Sequence, residues 1–226
     1  MQKYLFIVIG CGGIGGNLIR DLPKLILNQN QKMIIVDGDS VEKKNCVRQP
    51  FQEQDVGLNK ARVLARKINS FYPVECLYLD KYISGKEIDV LIRNNGNDRI
   101  PYLIGCVDND STRKLIEEAF DRLSDAVLLD GANGQYEGNV YCAYRKNGQQ
   151  FGKKRSDVYP LKKDFNPGTA GCEDRVARGE TQYLITNNKV AAVMLEYIYA
   201  ALIHPFAEKD YPKGGSKIER FETIYF

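Results

Sequence analysis

The stretch YLFIVIGCGGIGGNLI, residues 4–19, constrains the fold more than any other part of the chain. Tyr4 to Ile9 is an apolar run without a polar break, the pattern of a strand that a parallel sheet buries on both faces. Gly10, Gly12, Gly13 and Gly15 follow in a G-x-G-G-x-G arrangement. Glycine suits such a place because a backbone without Cβ atoms turns sharply and lets an anion come close. From Ile14 to Leu27 the spacing is helical, with Ile14, Leu18, Leu22, Leu25 and Ile26 on one side. The N-terminus of that helix offers unpaired N–H groups and the positive end of its dipole to a phosphate.

The rest of the first half repeats the rhythm. Met33 to Val36 predicts a second strand ending at Asp37, and Asn59 to Asn69 predicts a helix. Val74 to Leu79, Leu103 to Val107 and Ala126 to Leu129 read as further strands, with a helix from about Ser111 to Leu123. Strands alternating with helices predict an α/β fold: a doubly wound, mostly parallel Rossmann-like sheet with helices on both faces. Past Gly131 the pattern changes to a C-terminal antiparallel extension. Asn139 to Tyr144 alternates as a strand exposed on one side, Asn187 to Ile203 is helical, and Ile218 to Tyr225 is a late strand. Residues 145–171 lack periodicity, carry many Lys and Arg, and read as a basic flexible loop, long enough to be functional or mobile. No linker composition interrupts the chain, which predicts one domain over 1–226. Its nucleotide-binding core would be 1–131, and its extension, loop and helix 132–226.

Composition excludes several classes. The content is 43% hydrophobic and 27% charged, that of an ordinary globular protein. A net charge of +3 is too mild to argue for nucleic-acid binding. No apolar run approaches the ~18 residues of a membrane span. Six cysteines, at 11, 46, 76, 106, 142 and 172, contain no C-x-x-C pair, and His204 is the one histidine. No zinc and no disulfide framework are therefore expected, and reduced thiols in a cytoplasmic protein are the simplest reading. Chemistry here must run without a histidine base.

The glycine turn and Asp37 alone fit an NAD or FAD site as well as a nucleoside triphosphate site. Arg48 and Lys60, placed after the acid, favour the triphosphate. A planar guanidinium can clamp two phosphate oxygens and an ammonium adds a point charge, whereas a nicotinamide site needs neither. Asn45 can donate to an α-phosphoryl oxygen. Taken singly, Arg48 fits a surface ion pair and Lys60 the solvated start of a helix.

At this point the chain resembles the ThiF/MoeB family, the bacterial relatives of ubiquitin-activating enzymes. The pattern D-x-D-x-V-x-x-x-N-x-x-R-Q appears as Asp37, Asp39, Val41, Asn45, Arg48 and Gln49, with the downstream lysine in DVGLNKA. GCVDNDSTRK matches D-N-x-x-x-R as Asp108, Asn109 and Arg113. The match covers roughly residues 5–145, with a looser echo from Cys172 to Leu195. The resemblance implies ATP-dependent adenylation of a carboxylate, with a small ubiquitin-like protein as substrate, and a homodimer. It assigns Asp37 to the ribose, Asn45 to the α-phosphate, Arg48 and Lys60 to the phosphate tail, and Asp108 to magnesium. Asp39, Gln49 and Asn109 would shape the same pocket.

The chain departs from the family in three respects. Relatives carry an N-terminal helix with an arginine that reaches the neighbouring subunit, and none is expected ahead of the strand at Tyr4. The paired C-x-x-C of the structural zinc is missing, its first half falling near FGKKR, residues 151–155. No ubiquitin-fold extension is expected after the last strand. Cys172, near a segment resembling the family's catalytic-cysteine region, fits either an acyl-accepting thiol or a plain partly buried cysteine. Cys11 and Cys106 read as structural. The basic loop could cover a substrate tail or serve as a solvated connection. An NAD-dependent oxidoreductase and a catalytically silent partner subunit are the competing readings; the first leaves Arg48, Lys60 and Asp108 idle.

Overall fold

A computed structural model describes residues 2–134, 136–162, 184–219 and 222–226. Its elements are β1 (Tyr4–Ile9), α1 (Gly13–Leu25), β2 (Lys32–Val36), α2 (Lys60–Phe71), β3 (Glu75–Leu79), α3 (Gly85–Asn95) and β4 (Ile100–Gly105). They continue with α4 (Asp110–Arg122), β5 (Ala126–Asn133), β6 (Glu137–Lys146), β7 (Gln149–Gly152), α5 (Leu184–Ile203), β8 (Gly214–Glu219) and β9 (Glu222–Tyr225). The strands form one sheet in the order β3-β2-β1-β4-β5-β6-β8-β9, with β7 paired to β6. From β3 to β5 every pairing is parallel, and from β5 onward every pairing is antiparallel. The fold is doubly wound, as the alternation predicts.

The unbroken apolar runs explain the two layers. Along β1, Tyr4, Phe6 and Val8 face α1, α2 and α5, while Leu5, Ile7 and Ile9 face α3 and α4. Side chains of successive strand residues point to opposite faces, so only a strand covered on both sides tolerates such a run. Helix α5 packs along α1, β5 and β6, and so closes the first face. Among the described residues, no helix is long and apolar enough to cross a membrane.

Four expectations need correction. Helix α3 went unanticipated because GKEIDVLIRNN carries one weak apolar stripe; Ile88 is its buried anchor. Its start was nonetheless encoded, since Ser84 accepts the Glu87 N–H and Glu87 accepts the Ser84 N–H, a reciprocal capping box. Strand β6 is buried from Val140 to Tyr144 instead of being exposed on one side. Tyr144 is enclosed by Phe151, Phe206 and Tyr211, and Tyr141 meets Tyr159 edge-on. The late strand is a pair, β8 and β9, lying antiparallel. Finally, the described part of the basic segment is not loose. It forms the end of β6, β7 and a short 3-10 turn at Arg155–Asp157, with Lys154 on Asp121 at 2.6 Å. The remainder to 171, and Cys172 with it, lie outside the described residues.

If Ile88 is what holds α3 to the sheet, Ile88→Ala should cost about 2–5 kcal/mol in urea unfolding. Val90→Ala, on the exposed side of the same helix, should stay within about 0.5 kcal/mol.

Candidate functional site

The order of the sheet reverses at β1, with β2 and β3 on one side and β4 and β5 on the other. Open α/β sheets bind ligands at the carboxyl ends of the strands flanking such a reversal. Here those ends are the glycine turn after β1 and the loop Cys106 to Asp108 after β4.

The turn is packed to backbone contact. Gly10 has φ +97°, and a Cβ there would lie 2.6 Å from the Cys106 carbonyl oxygen. A Cβ on Gly15 would lie 1.9 Å from the Gly10 carbonyl oxygen, so α1 can start only where side chains are absent. Gly13 abuts Asn187, whose side-chain oxygen accepts from Asn133 at 2.8 Å. Gly12 differs from its neighbours: a Cβ there would meet nothing within 4 Å. Among the described residues no side chain caps α1, so the N–H groups of its first turn have no side-chain acceptor at the cap. The result is an unfilled cradle at the positive end of a helix.

Asp37 and Asp39 stand beside it. Asp37 Oδ2 accepts the Cys11 N–H at 2.6 Å and Oδ1 accepts the Asp39 N–H at 2.8 Å. A carboxylate has about four lone-pair sites, so half its capacity remains for further donors. Burial pushes the Asp37 carboxyl up to about 6, against the pull of Lys60. Lys60, at 6% exposure, donates to Asp39 Oδ2 at 2.8 Å and feels Asp37 as well. Burial opposes the Lys60 charge, but the two acids outweigh it and raise its pKa. At Asp39, burial is outweighed by Lys60, and its carboxyl is held below the usual range. Lys60 is thus a buried, clamped cation, not the solvated start of a helix.

Two residues of this cluster escaped the sequence reading. Asn59 caps α2 through the Arg62 N–H at 3.0 Å and donates to the carbonyls of Asp37 and Asp39 at 2.8 and 3.1 Å. An Asn directly before a helix was the available signal. Tyr82 donates its hydroxyl to Asp39 and rests its ring on Gly38. Burial, then the charges of Asp39, Asp37 and Asp108, raise the Tyr82 pKa. No local pattern marks such a tyrosine.

The segment carrying Asn45, Arg48 and Gln49 folds against the glycine turn. Pro50 touches Gly16, where a Cβ would come within 2.7 Å of its Cδ. The Asn45 oxygen accepts the Glu42 N–H at 2.9 Å and closes a 3-10 turn, which leaves the amide nitrogen as its donor. Arg48 is half-buried, and Gln49 Oε1 is buried without a hydrogen-bond partner. Asp108 is exposed at the end of β4. Asn109 takes a structural role, its oxygen capping α4 through the Thr112 N–H at 2.8 Å. Cys11 and Cys106 are buried, and burial pushes both thiols up, against nucleophilic use. The sequence reading also passed over Asp130, where the pairing of β5 with β4 ends, held between Arg113 and Arg155. An acid ending the apolar run AVLLD was its signal.

A family model for the ThiF family matches residues 1–207. The chain belongs to the ThiF family. No curated protein matches it significantly. Among solved structures it is similar to selenomethionine PaaA, at 16% identity and a TM-score of 0.67, covering 100% of this chain and 64% of that chain. It is also similar to E. coli MccB with succinimide, at 15% identity and a TM-score of 0.66, covering 99% of this chain and 62% of that one. These likenesses establish the shared fold; the chain spans under two thirds of either neighbour's length.

In this ThiF-family chain, no group of three or more His, Cys, Asp or Glu residues among those described forms a metal site by itself. Magnesium needs none: it binds through one or two carboxylates and completes its shell with phosphate oxygens and water. An exposed Asp108, on the loop after β4, fits that requirement. The glycine geometry makes a direct prediction. Gly15→Ala should cost about 1–3 kcal/mol or more in denaturant unfolding through overpacking. Gly12→Ala, facing open space, should cost less than about 1 kcal/mol.

Proposed function

We propose that the protein activates a carboxylate by ATP- and magnesium-dependent adenylation. Its substrate on this reading is the C-terminus of a small ubiquitin-like protein, and the enzyme works as a cytoplasmic homodimer without nucleic acid or membrane. ThiF-family membership supports the reaction class. The observation that carries it is the buried Lys60, fixed by two acids beside an unfilled glycine cradle.

The chemistry suits these residues. A carboxylate oxygen is already a nucleophile, so no base is required. It attacks the α-phosphorus, the bond to the β-phosphate bridging oxygen breaks, and pyrophosphate leaves with that electron pair. Catalysis then reduces to alignment and stabilisation of the charge gathering on the leaving group. Arg48 and Lys60 supply that charge, the first turn of α1 holds the phosphates, and Asp37 orients the ribose hydroxyls. Asp108 would hold magnesium, which when bound neutralises phosphate oxygens. Passage of the acyl group to Cys172 is a further step of the same reading. An NAD-dependent dehydrogenase leaves a costly buried lysine without a task, and a silent partner subunit has no reason to keep it.

Lys60→Ala and Arg48→Ala should each lower ATP–pyrophosphate exchange by ~10²-fold or more. Exchange at the wild-type rate in both variants would remove them from the mechanism. The pH dependence follows from Asp37. Its carboxyl titrates near 6, and only the charged form accepts both ribose hydroxyls with its remaining lone pairs. ATP affinity should therefore hold above that value and fall as pH drops through it, with proton release on binding near pH 6 measurable by calorimetry in two buffers.

A further inference from the structure

Where the pairing of β5 with β4 ends, at Asp130, the sheet carries a charged cluster outside the residues assigned to the nucleotide. Asp130, at 4% exposure, lies between two buried arginines. Arg113 Nε donates to its Oδ1 at 3.3 Å, and Arg155 Nε donates to its Oδ2. Arg113 also donates to Asp110 at 3.2 Å and to the carbonyl of Val107, the residue before Asp108. Asp130 is therefore one side chain removed from the loop that carries Asp108. In the sheet it sits beside Gly105, the last residue of β4.

Arg113 has a task in every direction, and Arg155 does not. The Arg155 guanidinium lies 5.2 Å over the Tyr141 ring and is 7% exposed. Its Nη2 is buried and has no hydrogen-bond partner among the described residues. A lysine would keep the ion pair with the carboxylate as a point charge, whereas the planar fork adds a donor at a fixed position away from Asp130. A buried donor left unpaired weakens the fold, and a native protein keeps one where something else completes it. The segment that presents Arg155 is also fixed. Lys154 pairs with Asp121 at 2.6 Å, Ser156 N–H and Oγ both donate to Glu117, and the Lys162 N–H donates to Asp110 at 3.1 Å.

We propose that Arg155 recognises the acyl side of the reaction, its Nη2 donating to a carbonyl oxygen of an extended peptide-like carboxylate close to the reacting end. This rests on the adenylation reading, which places that carboxylate between the glycine cradle and the Asp108 loop. Arg155 selects the acyl group and takes no part in phosphate chemistry.

Two probes separate the halves of the site: 5′-O-sulfamoyladenosine, and the same nucleoside carrying a glycylglycyl group on the sulfamate. Calorimetry on the full chain should show the glycylglycyl compound binding about tenfold tighter or more. Arg155→Lys, which keeps the charge on Asp130 but cannot place a second donor, should lose that increment. Its thermal midpoint should match wild type. Persistence of the increment in the variant overturns the proposal. Equal affinity of wild type for both probes overturns it too, while leaving the nucleotide site standing. An equal loss for both probes in Arg155→Lys makes Arg155 structural and also overturns it. Failure of wild type to bind either compound, or ATP, brings down the adenylation reading itself.

Discussion

One carboxylate holds the carboxyl edge of this sheet in register. Asp37 accepts an N–H from the glycine turn, at Cys11, and another from its own loop, at Asp39. Each bond ties a different segment to the end of β2. Asn59 then draws the start of α2 onto the carbonyls of Asp37 and Asp39, which brings Lys60 under the acids. Without Asp37, the turn after β1 would lose its hydrogen bond to the end of β2 and keep only the packing of Pro50 on Gly16. Burial makes this charge expensive, as the raised Asp37 pKa reflects, and two backbone donors and Lys60 offset the cost. The same strain leaves the acid ready for a ligand that brings further donors.

The parts legible in the sequence were those set by local pattern. The apolar run of β1, the glycines and the helical spacing of α1 all encode their structure within a few residues, because strand burial and close backbone approach depend on residue type. Asp37, Asp39 and Lys60, which the resemblance implies for one pocket, lie together. What stayed hidden depends on partners far along the chain. Lys60 looks solvent-facing until the acids beyond β2 are seen to fold over it. The burial of β6 depends on Phe206 and Tyr211, which lie after α5. Arg155 looked like part of a loose basic run because its partner, Asp130, lies on another strand. Helix α3 is a different failure: its capping box was local and readable, but its apolar stripe was too thin to draw notice.

The site divides along the line between β1 and β4. On the β1–β3 side the polar groups are a paired lysine, two acids and backbone amides, a set suited to ribose and phosphate. On the β4–β6 side they are two arginines sharing one carboxylate, cross-braced to α4. The second set resists disturbance, since removing either arginine would leave a buried charge short of a partner. The two halves meet at one loop: Arg113 holds the Val107 carbonyl, and Asp108 follows directly.

That meeting point has an electrostatic consequence. Tyr82 bonds Asp39, the charges of Asp37 and Asp108 also act on its hydroxyl, and one buried ammonium, Lys60, is set against the acids. Such a mouth repels a bare polyphosphate, even with the helix N-terminus favouring anions. On the adenylation reading, two things make up the deficit. Arg48 is one, beside the glycine turn through the contact of Pro50 with Gly16. A divalent ion, which Asp108 would hold, would be the other, offsetting the charge of the phosphates. A nucleotide without its metal would meet the same acids unshielded. On the same reading, discrimination between free and metal-bound ATP would follow from the charge of these residues, independently of any contact with the acyl substrate.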